Sequence, residues 1–500
     1  MPIRLSGMIS GLDTDAVVKE LMSAQTLKKT NVENKKTKLE WKKEKWEGLN
    51  TKIYSLYTEK LSNLKLQGSY MTKKAISSND QIATATATTA ANGSYTLKVE
   101  QLASSQFVTG KDMSASSIKG DMKLSELGIN VGTTFTVKTG EGYGKEETIT
   151  TTEDTTVSSL MSALSSKGIQ ANFDEKQSRI FLSSKDSGTD SRFTLTSDSG
   201  TALEALGLME ITEDVAENGV ESGDVIVRKA DDSLIELNGA KLTSKSSSVS
   251  AGGLTINISG TTEVGQMLTL TVSNDVDAVY DKFKEFIKGY NELLEEMNGA
   301  YNAKSAKDYA MLTEEQREDM SEKEVELWDN RIKDSLLRGD TTLKSLVSAM
   351  RSSLPESIEI DGKKYSLSSF GVVTGAYTEK GKLHIYGDAE DSLYADKADM
   401  LKKSLAEDPE TTAKALAGIM SKLYSTLTDK MKVSTISSAL TFYNDKSIQN
   451  QVREYDTQIS DWETRLADME ERYYKQFSNM EKAMADLQNK QNQLTNMLGT

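Results

Sequence analysis

The chain has 500 residues, of which 37% are hydrophobic and 27% charged, with a formal net charge of −15. It has no cysteine and one histidine, His384, which excludes disulfide frameworks, thiolate metal sites and cysteine nucleophiles and leaves a Ser-His-Asp triad almost nothing to use. The acidic balance excludes general binding to a phosphate backbone, no apolar run is long enough to insert in a membrane, and neither cofactor nor metal is expected.

The opening stretch SGMISGLDTDAVVKELMSAQ (6–25) does not read as a cleaved signal peptide, because Asp13 and Asp15 interrupt any apolar core. Asp13 is instead expected to cap a helix, its carboxylate accepting from first-turn amides. Leu12 and Val17 would form the hydrophobic staple. From there to about Leu66 the chain has no proline and one interior glycine, Gly48. Val32, Leu39, Trp46 and Ile53 fall seven apart, a thin apolar stripe on a charged helix. Lys28, Lys35 and Lys42 stand where a buried seam would want leucine.

Between about 70 and 275 the pattern turns to Thr- and Ser-rich alternation. QIATATATTAANGSYTLKVEQLA, with its Asn92–Gly93 pair, predicts a hairpin or paired strands. One helix, near Val157–Ser166, interrupts the β pattern, and the interval 108–210 is expected to be one β domain inserted in another. Helix returns at Asn274–Asp275, placing Val279, Phe283, Phe286, Ile287, Tyr290, Leu294 and Met297 on one face. Further helical segments follow at 313–337 and 341–354, a short β hairpin is predicted within 357–387, and TTAKALAGIMSKLYSTLTDKM is another helix.

The far end carries the strongest periodicity. Val452, Ile459, Leu466, Tyr473, Met480, Leu487 and Leu494 repeat every seven residues. Tyr455, Trp462, Met469, Ala483 and Met497 supply most of a second set, broken at Gln476 and Lys490. This is a specific coiled-coil signal. Burial would contribute on the order of 1.5–3 kcal/mol per side chain before entropy, so the helix must find a partner. The N-terminal stripe is the nearest one, yet too thin to cover both sets, and neighbouring subunits or another protein are expected to complete the seam. Each terminal helix, at about 65 residues, would reach on the order of 100 Å.

The chain is therefore read as α+β and multidomain. Residues 1–45 with 433–500 form a terminal coiled-coil region, and 46–70 with 275–432 a discontinuous helical domain with a small β hairpin. Residues 71–107 with 211–274 form a β domain, and 108–210 the inserted β-rich domain.

Other motifs have plainer readings. Asp13 and Asp15 suit a helix start without a metal. Arg338-Gly339-Asp340 reads as a helix stop and a new cap. His384 sits mid-strand in GKLHIYG. The lysine run 28–46 is interleaved with Glu33, Glu40 and Glu44, as on a solvated coiled-coil face. No phosphate-binding glycine loop is present, and no carboxylate pair stands out, so no enzyme is expected.

SGLDTDAVVKELMSAQ near the start resembles the N-terminal signature of the bacterial flagellar filament-capping proteins, the hook-associated protein 2 family. VSNDVDAVYDKFKEFIKGYNELLEEM (272–297), LLRGDTTLKSLVSAMR (336–351), GVVTGAYTEKGKLHIYGD (371–388) and RYYKQFSNMEKAMADLQNKQNQLTNMLG (472–499) are similar to its later segments. The resemblance implies a secreted axial protein that passes unfolded through the flagellar type III exporter without a cleaved signal. It implies a ring of copies at the extracellular filament tip, with the β domains as a plate and the coiled coils as legs. The partners implied are further copies, flagellin, adjacent hook-associated proteins and an export chaperone. Two other readings remain open: a filament or junction subunit, and an adhesin whose β domains grip mucin or another host surface.

Overall fold

A computed structural model describes residues 13–498, Ser222 and the side chains after Thr495 excepted. The chain divides into two compact units, one formed by Thr72–Asp275 and the other by the residues before and after it.

The flanking unit is helical. Its first helix, Thr14–Ser55, continues as a π-helical turn, Leu56–Leu61, and a last short turn, Ser62–Leu64. The wider π turn rotates the apolar face, so that Trp46, Leu49 and Ile53 before it and Tyr57, Leu61 and Leu64 after it are all buried. The return helix Val276–Tyr301 buries every residue of its predicted apolar face. Its rings meet in series, Phe283 with Phe286 and Phe286 with Tyr290, at centroid separations of 6.2 Å. Helices Thr341–Ser353, Met400–Glu407 and Pro409–Lys430 close the same core. Pro409 sits in the first turn, where its missing N–H costs nothing, and Asp408 caps that helix through Thr411 N–H at 3.2 Å.

Where one hairpin was expected within 357–387, two are present. Ile358–Ile360 pairs with Lys363–Tyr365, and Val372–Thr374 with Leu383–Ile385. Their strands are three residues long, too short for alternation to count them. The first turns at Asp361–Gly362, both with positive φ. The described helical run at each end, Thr14–Leu64 with its π turn and Asp445–Leu498, spans roughly 75 and 80 Å, short of the expected 100 Å.

The Thr72–Asp275 unit holds two β cores with antiparallel pairing throughout. In the first, a five-stranded sheet runs Lys73–Ser77, Leu268–Asn274, Gly93–Gln101, Ser233–Leu237, Ala240–Ser244. It shares its core with a three-stranded sheet, Ser248–Ala251, Leu254–Ile258, Ala83–Ala87. Alternation sets the faces: Leu268, Leu270 and Val272 point inward while Thr269 and Thr271 are exposed. Ala83–Ala87 and Gly93–Gln101 do not form the expected hairpin, because they lie in different sheets. A sandwich satisfies the same alternation with strands facing each other across the core, and Gly93 at φ +147° does not close a tight hairpin turn.

The second core contains a four-stranded sheet, Ile226–Arg228, Phe107–Thr109, Arg179–Ser184, Ile169–Asp174, and a three-stranded one, Lys145–Thr150, Thr134–Thr139, Thr194–Ser197. The helix Val157–Ser166 begins with a reciprocal Thr156–Ser159 capping box. Two more helices, Ala202–Ala205 and Glu213–Asn218, are too short to show periodicity. Ile211, Ala216 and Val227 belong to this core, so residues 211–228, assigned from sequence to the flanking β domain, pack with 108–210 instead. The reason is pairing at a distance: Ile226–Arg228 is held by Phe107–Thr109, which no local composition shift reveals.

Candidate functional site

The feature that organises the helical unit is the antiparallel pairing of its first and last helices. Asp13 caps the first, its carboxylate accepting from Ala16 N–H at 3.0 Å, while its carbonyl accepts from Val17 N–H at 3.1 Å. Val17 is half-buried; Leu12, the other half of the expected staple, lies outside the described residues. Asp15 accepts from the Tyr474 hydroxyl at 2.9 Å, which joins the start of one helix to the far part of the other.

Two ionic rungs cross between the helices. Lys29 Nζ meets Glu463 Oε1 at 2.8 Å and Lys36 Nζ meets Asp456 Oδ1 at 2.7 Å, one heptad apart on both helices. Hydrogen bonding to Glu463 raises the Lys29 ammonium above its usual value against the opposing effect of burial, and Asp456 does the same for Lys36. Beside the rungs, the Lys28 ammonium lies 5.7 Å and the Arg465 guanidinium 5.6 Å from the Trp462 ring centre. The lysine run is therefore the ionic flank of a helix pair. Sequence reasoning weighed Lys28, Lys35 and Lys42 and passed over Lys29 and Lys36, although their seven-residue spacing matches that of Asp456 and Glu463.

The apolar residues singled out from sequence form a gradient. Trp46 is 1% exposed and stacks on Tyr443, with centroids 5.5 Å apart and planes 7° from parallel. Burial pushes the Tyr443 hydroxyl up to about 12. Trp46 and Val452 thus belong to the helical core, with Leu39 packed against it, because the segment before the last helix folds back here: Phe442 N–H donates to Asn50 Oδ1 at 2.8 Å. Val32 is buried between the helices, and Ile459, Trp462, Leu466, Met469, Tyr473 and Met480 are half-buried. Leu487 and Leu494 are 66% and 59% exposed, and Gln476 and Lys490 are exposed too. Alongside the pair runs a groove of about 850 Å³ lined by Val18, Met22, Leu27, Leu466 and Tyr474 among others. The long helix continues from Tyr474 to Leu498, roughly 35 Å, with its heptad leucines facing water.

The remaining candidates are structural. Gly339 turns with φ +65° and Asp340 caps the next helix through Thr342 and Leu343 N–H at 3.0 and 3.1 Å, so the Arg338–Asp340 carboxylate is engaged in a corner of the fold. His384 Nδ1 bonds to Asp391 and its Nε2 faces Glu379 at 3.3 Å, with the ring stacked on Tyr394 at 4.5 Å. The two carboxylates sit on opposite ring nitrogens and share no point where an ion would fit. Among the described residues no group of acidic and histidine side chains converges to hold a metal, and no helix is long and apolar enough to cross a membrane.

Residues 230–489 match the family described as flagellar hook-associated protein 2 C-terminus, and residues 10–106 its N-terminus. The chain belongs to the flagellar hook-associated protein 2 family. It is 27% identical over 477 residues to flagellar hook-associated protein 2 of Halalkalibacterium halodurans, covering 90% of this chain and 85% of that one. It is 27% identical to B-type flagellar hook-associated protein 2 of Pseudomonas aeruginosa, covering 89% of this chain and 87% of that one. The fold is that of the D1-D2-D3 domains of the flagellar cap protein FliD from Escherichia coli, with a TM-score of 0.55 at 18% identity over 81% of this chain and 99% of that one. Membership in the flagellar hook-associated protein 2 family makes the chain a structural component of the extracellular flagellum, not an enzyme.

Proposed function

We propose that the chain caps the distal end of the flagellar filament as a ring of copies, promotes flagellin polymerisation beneath it and prevents loss of subunits. Residues 1–45 and 433–500 serve as legs that contact flagellin, and the β domains form the plate. Val32, Leu39, Ile459, Trp462, Leu466, Met469, Tyr473, Met480, Leu487 and Leu494 are the contact residues, with Trp46 and Val452 anchoring the leg to its base. Adjacent hook-associated proteins and an export chaperone are its further partners.

The observation that supports this reading is the exposed far part of the last helix: Leu487 and Leu494 keep the heptad spacing yet stay exposed, a face that gains burial only in an assembly. The test is elongation of purified filaments by flagellin with parent protein or Leu487→Glu/Leu494→Glu added. The variant is expected to fold normally by circular dichroism and to fail to support elongation or restore swimming in a cap-deficient strain. Full activity of the variant would reject these residues as the contact.

A further inference from the structure

A cavity of about 470 Å³ opens in the helical unit between the return helix, the helix Thr341–Ser353 and the hairpin Val372–Thr374/Leu383–Ile385. Tyr290 and Arg351 both line it. Tyr290 is 1% exposed, and among the described residues its hydroxyl takes no hydrogen bond. The hydroxyl borders the cavity and is free to donate into it. Arg351, a solvent-exposed residue also on the cavity wall, makes no ion pair or hydrogen bond among the described residues. The guanidinium is close enough to act electrostatically on the Tyr290 hydroxyl, opposing the upward push of burial.

Gly381 has φ +97°, a conformation that favours glycine, and the Arg351 side chain lies across this turn where a Cβ would stand. Leu354, Leu367 and Leu383 make the apolar lining. Serines and three consecutive strand residues, Val372, Val373 and Thr374, line the rest. Among the described residues that strand pairs only with Leu383–Ile385. Gly371 and Gly375 bond across to Tyr386 and Lys382, and antiparallel alternation then turns the backbone groups of Val372 and Thr374 the other way, along the cavity.

We propose that this cavity binds the carboxyl end of an extended peptide, with the terminal apolar side chain inside, the carboxylate on the Tyr290 hydroxyl and Arg351 guanidinium, and the backbone along Val372–Thr374. A phenol and a guanidinium, both donors, line the one cavity, where a carboxylate can accept from both. A free strand edge recognises extended backbone and nothing more compact.

The test titrates the full-length protein with acetyl-Ala-Ala-Leu bearing a free carboxylate and with its carboxamide, followed by ligand-observed NMR. The acid is expected to bind and the amide to bind at least about tenfold more weakly, the factor one hydrogen bond to a charged group commands. Tyr290→Phe and Arg351→Met are each expected to weaken the acid by about tenfold. Tyr290→Phe should also melt at or above the parent temperature, since it strands no partner. Equal binding of acid and amide, no binding of the acid, or unchanged affinity in both variants would overturn the proposal. So would a lowered melting temperature of Tyr290→Phe, which would mean that the hydroxyl is already engaged within the fold.

Discussion

Asp340 performs three tasks with one carboxylate. One oxygen accepts the Thr342 and Leu343 amides while the other meets Lys42 Nζ at 2.8 Å, tying the first helix to the start of another. Burial pushes this carboxyl upward, but Lys42 and the capping amides outweigh it and hold it below the usual aspartate value. Asp340→Ala should cost about 1–2 kcal/mol in urea unfolding at neutral pH. Asp340→Asn, which can still cap, should cost less. Because the folded-state value is depressed, the advantage of the parent is complete above the ordinary aspartate range. It is lost as pH falls through the depressed value, and unfolding curves at descending pH should converge there. The cap was legible in the Gly339–Asp340 pair, since both cues are local. Lys42 as its partner was not, since nothing near residue 42 announces a helix start almost three hundred positions away.

Among the elements, the paired terminal helices show most clearly what periodicity reveals. Seven-residue repeats located the apolar rows of Asp445–Leu498 because each row advances nearly two helical turns. Repeats did not say where pairing ends and a buried base begins, which is why Trp46 and Val452, on the stripe by count, lie in the helical core by contact. The π turn at Leu56–Leu61 was equally silent, as the residues on either side are ordinary helix formers. The rungs Lys29–Glu463 and Lys36–Asp456 are partly solvated. Lys29→Met with Lys36→Met should therefore destabilise by no more than roughly 0.2–1 kcal/mol per rung. The difference in melting temperature from the parent should shrink as salt is raised toward 1 M, where screening acts within about 3 Å.

At the scale of the whole molecule, the β unit is built to be separable. Its first and last strands, Lys73–Ser77 and Leu268–Asn274, are hydrogen-bonded neighbours, so both ends of the segment leave from one place, and its two cores are closed within it. A fragment of residues 72–275 is expected to fold alone, with a cooperative calorimetric transition and dispersed amide signals. A molten or aggregated fragment would contradict that expectation. The composition shift near 70 and 275 made this unit visible in the sequence; its internal division was blurred because strand Ile226–Arg228 returns to a sheet begun at Phe107. Lys29, Lys36 and Lys43 share one spacing, and so do Asp456, Glu463 and Glu470. Sliding one long helix past the other by seven residues, roughly 10 Å, would bring Lys36 to Glu463 and Lys29 to Glu470 with the greasy rows again in step. Charge and oiliness alone leave equivalent notches, like those of a vernier. The detent that selects one of them is the pin at the bottom, where Asn50 holds the Phe442 amide and Trp46 lies flat on Tyr443.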